Sequence, residues 1–404
     1  MIKCTKHVLI YISILAVTLF AWGICLVNAQ KIQALDHVVQ LHYEKEGLTG
    51  DQLESVLKDQ LESKDRIISG LVAWNQETQQ TMKNQDLGRS IEGNQLKVYG
   101  NTRLLFETKE LIGNGLYEND LEGAIITEQV AYELWGNTDV VGKQITLQDK
   151  DYTIRGILKD KSKSIIVQSD TTNEEAKFNV ARIEFIDNDN VEETLNTLQF
   201  KYNLPKGIYN NLSLKSILLS YLALIPGCLL GVYGMLKLYF YIYRTHRYWI
   251  SAIVLSIIAI GITWVTGEVL QLSIQLPSYI IPNRWSDFAF WSSLLEKFRA
   301  NEQMLKMLPT SIADGWYQEV YVVLMSSFIV SLLGCIMIIK KAVFEETSEY
   351  FGCILMSIII SFISIISIYI IEGSVLIIPA FWCSIPLLLG IHALINKWRT
   401  ILEE

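Results

Sequence analysis

The sequence predicts an α-helical membrane protein of about six spans, with an extracytoplasmic α+β domain inserted between the first and second spans. Three observations carry this expectation. Half of the 404 residues are hydrophobic and the mean hydropathy is +0.28, yet residues 30–213 are polar. Such an average mixes two solvents. Six apolar runs, at 7–27, 214–241, 249–270, 320–339, 351–371 and 375–395, are each long enough to cross ~30 Å of hydrocarbon. The stretch 123–160, GAIITEQVAYELWGNTDVVGKQITLQDKDYTIRGILKD, reads as strand, helix, turn, strand, hairpin and strand.

Residues 1–29 form the N-terminal anchor. Lys3 and Lys6 precede the apolar run, which places the N-terminus in the cytoplasm. Val27-Asn28-Ala29 resembles a leader cleavage site, but the run exceeds the roughly 7–15 residues of a signal-peptide core, so it reads as an uncleaved anchor.

Residues 30–213 form the external domain, with a helical stalk or hairpin at 32–65 and an α+β core at 66–204. Thr49-Gly50-Asp51-Gln52 offers a helix cap, followed by Leu53, Val56, Leu57 and Leu61 at helical spacing. Residues 67–74, 96–100, 164–168 and 181–186 have β character, 84–89 reads as loop, and 191–200 as a closing helix. In the central stretch, Thr127 suits a helix N-cap, with Val130, Ala131 and Leu134 on one face of the following helix. Gly136 stops that helix, and Gly142 and Gly156 are expected as further turn residues.

Residues 214–404 form the five-span domain, with an external segment at 271–318. Basic residues fall between the second and third spans (Arg244, His246, Arg247), after the fourth (Lys340, Lys341) and after the sixth (Lys397, Arg399). Both termini are then cytoplasmic. The external segment carries Trp285, Phe288, Phe290, Trp291 and Trp316, suited to a lipid interface, and 292–308 suits an interfacial amphipathic helix. Gly227 and Gly231 form a G-x-x-x-G pair for close span packing, and Ser357, Ser361 and Ser364 a small-residue stripe. Glu268 and Glu372 sit near the outer ends of their spans, where they reach headgroup water.

The same sequence excludes several chemistries. A net charge of −8 lacks the basic face of a nucleic-acid binder. All six cysteines lie in or beside spans and form no C-x-x-C pair, and the five histidines are scattered, so no metal or cofactor site is expected. Residues 136–144 imitate a phosphate loop, but the spacing is one residue long and Gln144 stands where Ser or Thr would hold magnesium. No catalytic residue is expected, and the chain is read as a non-enzyme.

The 123–160 stretch resembles the periplasmic core domain of MacB-like and FtsX-type ABC transporter permeases. The likeness lies in the helix Glu128-Gln-Val-Ala-Tyr-Glu-Leu-Trp-Gly136, the turn Asp139-Val-Val-Gly-Lys143 and the strand end Arg155-Gly-Ile157. The resemblance implies a non-catalytic cell-membrane subunit that dimerises with itself or with another permease subunit. It also implies a cytoplasmic ABC ATPase on a separate chain, driving export or mechanotransmission through a domain that can meet an extracytoplasmic peptide or protein. Arg244, Arg247, Glu345, Glu346 and Glu349 are the residues available for the ATPase contact. Three features depart from that family: it usually has four spans, its Glu-Ile-Gly-type cytoplasmic motif is absent here, and the cytoplasmic loop at Tyr243–Tyr248 is very short, with Lys341–Tyr350 only moderately longer. The alternative reading is a membrane-anchored extracytoplasmic binding or scaffold protein without ATPase coupling.

Overall fold

The structure, a computed structural model, describes residues 6–44, 47–64, 66–170, 177–187, 191–245, 280–282, 286–341, 347–374 and 384–393, with isolated positions between them. In chain order the described elements begin with α1 (Lys6–Gln33), β1 (Val38–His42), β2 (Leu48–Thr49), α2 (Gly50–Glu62), β3 (Ile68–Asn84) and β4 (Arg89–Gly100). After a 3-10 turn at Thr102–Leu105 come β5 (Leu111–Gly113), β6 (Gly123–Thr127), α3 (Glu128–Trp135), β7 (Gln144–Leu147), β8 (Lys150–Leu158) and β9 (Ser164–Gln168). Then follow β10 (Lys177–Phe178), β11 (Val180–Phe185), α4 (Val191–Lys201), β12 (Ile208–Asn211), α5 (Leu212–Thr245), α6 (Phe288–Met307), α7 (Ile312–Lys341) and α8 (Thr347–Glu372). The chain divides into two compact units: Ala34–Ile217 with Leu276–Glu319, and Met1–Gln33 with Leu218–Gln275 and Val320–Glu404.

The first unit is an α+β body. Its sheet runs β12-β1-β11-β3-β4-β9-β6-β8-β5, with β7 joined to β3 and β8, while β2 and β10 form a separate pair. The pairs β4–β9 and β6–β8 are parallel and the others antiparallel. Alternation along β3 sends Leu71 and Ala73 into one core and Val72 and Trp74 into another, which is the period-two rule at work on a sheet covered on both faces. The first of these cores is closed by Leu53 and Val56 of α2 and Leu195 and Leu198 of α4. A third core gathers Met82, Ile126, Val130, Leu134, Ile145, Ile157 and Val167 around α3.

Three local expectations change. The 32–65 stretch is not wholly helical: α2 begins only after Thr49, whose hydroxyl and Gln52 form a reciprocal capping box. Before it, Val38–His42 is a strand with every residue buried, because β11 and β12 flank it and take up its backbone groups. The strand expected at 67–74 continues to Asn84, its polar second half pairing with β4 as a long hairpin. Thr127 makes no side-chain cap; its hydroxyl donates to the Ser162 carbonyl (2.5 Å) and accepts from the Ser164 amide (3.1 Å), tying the start of α3 to β9. Gln148 and Asp149 form the hairpin tip between β7 and β8, both at positive φ.

The external segment also differs. Residues 276–319 belong to the same unit as 34–217. The helix expected at 292–308 is α6, and none of its residues is buried. Asn301 on it donates to the Tyr209 carbonyl of β12 (2.8 Å). Trp316, expected at a lipid interface, is 3% exposed and packs with Trp74, Leu104 and Leu105. Its indole face finds more apolar surface in that core than a headgroup layer offers.

In the second unit, α1 is the common neighbour. Its Trp22 indole donates to the Ala223 carbonyl of α5 (3.0 Å). A Cβ on Gly334 of α7 would collide with Thr18, and one on Gly23 with Ile368 of α8. Lys31 pairs with Glu372 at 2.6 Å, so Glu372 meets a cation and not only headgroup water. Ser357, Ser361 and Ser364 are all buried on α8. Among the described residues four helices, α1, α5, α7 and α8, are long and apolar enough to cross a membrane. The run at 249–270 lies outside the described residues except for isolated positions, and the run at 375–395 contributes a short apolar helix at Ser384–Ala393.

Candidate functional site

Three helices leave or enter the α+β body, and their body-side ends share one site. Residue Leu35 follows α1, Leu212 begins α5 and Tyr317 lies in the second turn of α7; these pack together with Val38 of β1. Asp36 receives the hydroxyls of Ser213, on its carbonyl, and Ser216, on its carboxylate. Burial pushes the Asp36 carboxyl up, against the Ser216 bond and the nearby His37. The Asn211 side chain caps α5 by accepting from the Leu214 amide (2.9 Å).

The start of α7 is held more elaborately. Ser311 and Asp314 close its first turn, with the Ser311 amide donating to Asp314 Oδ2 (3.0 Å) and the Ala313 amide to Ser311 Oγ (3.4 Å). Side chains from the sheet then grip this turn. Trp74 Nε1 donates to Ser311 Oγ (3.0 Å), and Gln76 Oε1 accepts from the Ile312 amide (2.8 Å). Gln40 Nε2 donates to Asp314 Oδ1 (2.6 Å) and lies 2.7 Å from His42 Nε2.

Arg182 of β11 is the centre of the arrangement. It is 3% exposed. Its Nε donates to Gln40 Oε1 (2.8 Å), its Nη1 to the carbonyls of Leu104 (3.0 Å) and Leu105 (2.9 Å), and its Nη2 to the Ala313 carbonyl (3.4 Å). The guanidinium lies 5.3 Å from the centre of the Trp74 ring. A buried cation is tolerable only when its donors are used and counter-charge is near. Asp314 and Glu107 supply that charge, opposing the downward push of burial on Arg182. Burial also pushes the His42 imidazole down; Asp314 pulls it up less strongly, and Arg182 adds to the depression.

A second link lies one turn further along α7. Lys109 Nζ bridges Asp160 Oδ1 (2.9 Å) and Glu319 Oε2 (2.5 Å), with the Lys109 side chain 12% and that of Asp160 9% exposed. Burial works against the Lys109 charge, but the bonds to Glu319 and Asp160 outweigh it and hold the ammonium above its usual range. Burial likewise pushes Asp160 up, and the Ser162 hydroxyl, Lys109 and the Ser162 amide together bring it below the usual carboxylate range.

This site contains no nucleophile–base pair, and among the described residues no group of His, Cys, Asp and Glu could hold a metal ion. What the arrangement does is fix the first two turns of a long apolar helix to the sheet by directional bonds. The sequence reading did not single out Gln40, Trp74, Arg182 or Asp314. One signal for them exists in the chain: Ser311-Ile-Ala-Asp314 is an S-x-x-D capping pattern ahead of an apolar run. Arg182 gave none, because with Glu184 it falls on the polar phase of β11's alternation.

Two solved structures are similar to this chain. The extracellular domain of the noncanonic ABC-type transporter YknZ from Gram-positive bacteria matches at 14% identity and a TM-score of 0.33, over 43% of this chain and 98% of that one. The periplasmic region of MacB from Actinobacillus actinomycetemcomitans matches at 13% identity and a TM-score of 0.36, over 46% of this chain and 92% of that one. No protein-family model matches the sequence, and no curated protein does.

The residues expected from sequence lie elsewhere in the molecule. Gly136 ends α3 at φ 79° with its amide on the Tyr132 carbonyl (2.8 Å), and Gly142 turns at φ 87° with its amide on the Ile154 carbonyl (2.8 Å). Gly156 is not in a turn: it lies inside β8, where the Asn114 carbonyl oxygen would stand 2.6 Å from a Cβ. Gly227 lies under the Trp22 ring, whose Cζ2 would be 2.9 Å from a Cβ, and Gly231 is one turn on in α5. Arg244 is in the last turn of α5 and Glu349 in the first turn of α8. Arg247, Glu345 and Glu346 lie outside the described residues.

Proposed function

We propose that this chain is a permease-like membrane subunit of a bacterial ABC-type system. ATP hydrolysis on a separate cytoplasmic chain moves its spans, and the motion reaches the extracytoplasmic α+β body for export or mechanotransmission. The observation that carries this reading is the hold of Arg182, Trp74, Gln40 and Lys109 on the first two turns of α7, a helix that continues as a candidate span. A helix that only anchored the body would need no buried arginine at its root. Force along α7 would arrive at the carbonyls and carboxylates that this network grips, and two packings of such a root are the kind of two-state element that transmits it.

The resemblance of residues 123–160 to MacB-like core domains supports the same reading. On this view the protein has six spans with both termini cytoplasmic, and it works as a dimer with itself or another permease subunit. Arg244 and Arg247, with Glu345, Glu346 and Glu349, meet the ATPase. The test is co-purification from native membranes. An ABC ATPase should accompany the protein, be lost on Arg244→Ala with Arg247→Ala, and in the intact complex ATP should change hydrogen exchange at 311–319. A pull-down without an ATPase, or exchange at 311–319 indifferent to ATP in the complex, overturns the proposal and leaves a membrane-anchored scaffold.

A further inference from the structure

Beside the α7 root the body has a cavity of about 360 Å³ lined by Arg103, Phe106, Glu107, Lys109, Leu111 and Gly115. That volume is in the range of small-molecule sites. Three features define its chemistry. Glu107 Oε2 is buried and meets no hydrogen-bond donor among the described residues. A buried carboxylate oxygen left in that state is costly, and a ligand's donor would relieve it. Arg103 places an exposed guanidinium in the same lining. The rings and methyls of Phe106 and Leu111 supply apolar wall. Lys109 is already committed to Asp160 and Glu319, so the cationic capacity left for a ligand is that of Arg103.

We infer that this cavity binds a small zwitterion with an apolar side chain, an α-amino acid or short peptide, its ammonium on Glu107 and its carboxylate on Arg103. An ammonium supplies the charge-assisted donor that Glu107 lacks, and a guanidinium is the side chain best matched to a carboxylate. The position gives binding a consequence. Residues 104 and 105, which give their carbonyls to Arg182, lie in the chain between the lining residues Arg103 and Phe106, and the lining residue Lys109 reaches Glu319 on α7, so Lys109 belongs to both the cavity wall and the helix root. Only that consequence rests on the proposed transmission through α7; the binding does not.

Burial pushes the Glu107 carboxyl up to about 7, helped by Glu184 and opposed by Arg182 and Arg103. An incoming ammonium favours the ionised form, so binding releases a proton and tightens as the pH rises through that value.

The test is titration calorimetry of the full-length protein in nanodiscs with L-leucine, leucyl-leucine, N-acetyl-L-leucine and L-leucinamide. L-leucine or leucyl-leucine should bind, and whichever is tighter tells a free amino acid from a peptide end. Acetylation, amidation, Glu107→Gln and Arg103→Ala should each weaken binding about tenfold or more, and affinity should rise severalfold from about pH 6 to about pH 8. Asp86→Ala, in the distant β3–β4 turn, should bind as the wild type does. Three results overturn the inference: no heat with any probe up to about 10 mM, equal affinity for the acetylated probe, or wild-type affinity in folded Arg103→Ala. Arg103 is exposed, so its variant reports even where Glu107→Gln fails to fold. None of these readouts involves the ATPase, so they fail or succeed apart from the co-purification test.

Discussion

The two buried regions of the α+β body solve the same problem in different ways. Around α3 the core is a set of apolar side chains, Met82, Ile126, Val130, Leu134, Ile145 and Ile157 among them. Around Arg182 the core is cut by a cation, two amide side chains and an indole, each bonded to something distant in sequence. The α3 core tolerates any well-packed apolar set. The Arg182 region works only when every donor finds its acceptor, because an unmatched buried charge costs more than a methylene gap. The motif that is easiest to recognise therefore builds the body, and the residues that hold the first two turns of α7 lie elsewhere.

The largest expected effect is at Arg182. Arg182→Ala should destabilise the body by about 3–5 kcal/mol, because it leaves Gln40 Oε1 and the 104–105 carbonyls buried without their donor. It should also release the amides of Ile312 and Ala313 to hydrogen exchange. Their continued protection in a folded variant would break the comparison.

Leu134→Ala in the α3 core should cost about 2–5 kcal/mol by cavity formation. The two variants can therefore be close in melting temperature and still differ in kind. In Leu134→Ala the exchange at 311–319 should stay as in the wild type, and coupled loosening of both regions would show that the body is a single cooperative unit.

A smaller effect belongs to Gly136. Gly136→Ala forces a Cβ into the left-handed region at φ 79° and should cost about 1–2 kcal/mol in thermal unfolding. The nearest atom to that Cβ would be Arg89 Nη1 at 3.9 Å, so the cost is one of backbone and not of crowding.

The smallest expected effect is a slope with pH, and it separates two carboxyls beside the α7 root by sign. Glu107 is raised to about 7 in the folded protein, so its contribution is full below the ordinary carboxyl range and is lost as the pH rises through about 7. Asp160 is held low, so its contribution is present above the ordinary range and is lost as the pH falls below it. Unfolding followed across this span should show stability falling in the wild type from about pH 4.5, the ordinary carboxyl value, to about 7. Glu107→Gln should flatten that fall, while Asp160→Asn should flatten only the acid limb.

Local pattern made much of the body legible. The α2 cap at Thr49 and Gln52, the α3 face of Val130, Ala131 and Leu134, and strand β9 all follow from side-chain type and spacing over a few residues. Apolar run length likewise marked α1, α5, α7 and α8. The polar half of β3 was not legible as strand, because Gln76 to Lys83 carry little β preference until β4 lies beside them. Val38–His42 gave no strand signal distinct from its helical surroundings, and only pairing on both edges made it one.

What the sequence by itself determined is the division of the chain between two solvents, the apolar spans, and the turn and cap chemistry of the 123–160 stretch. These depend on transfer from water and on backbone preference, which act over neighbours in the chain. Tertiary structure alone decided that Trp316 is core, that residues 311–319 belong to the body, and that Arg182 has Asp314 and Glu107 as its counter-charges. A buried charge is stable only with partners at bonding distance, and these partners lie 132 and 75 positions from it along the chain (314 − 182 and 182 − 107).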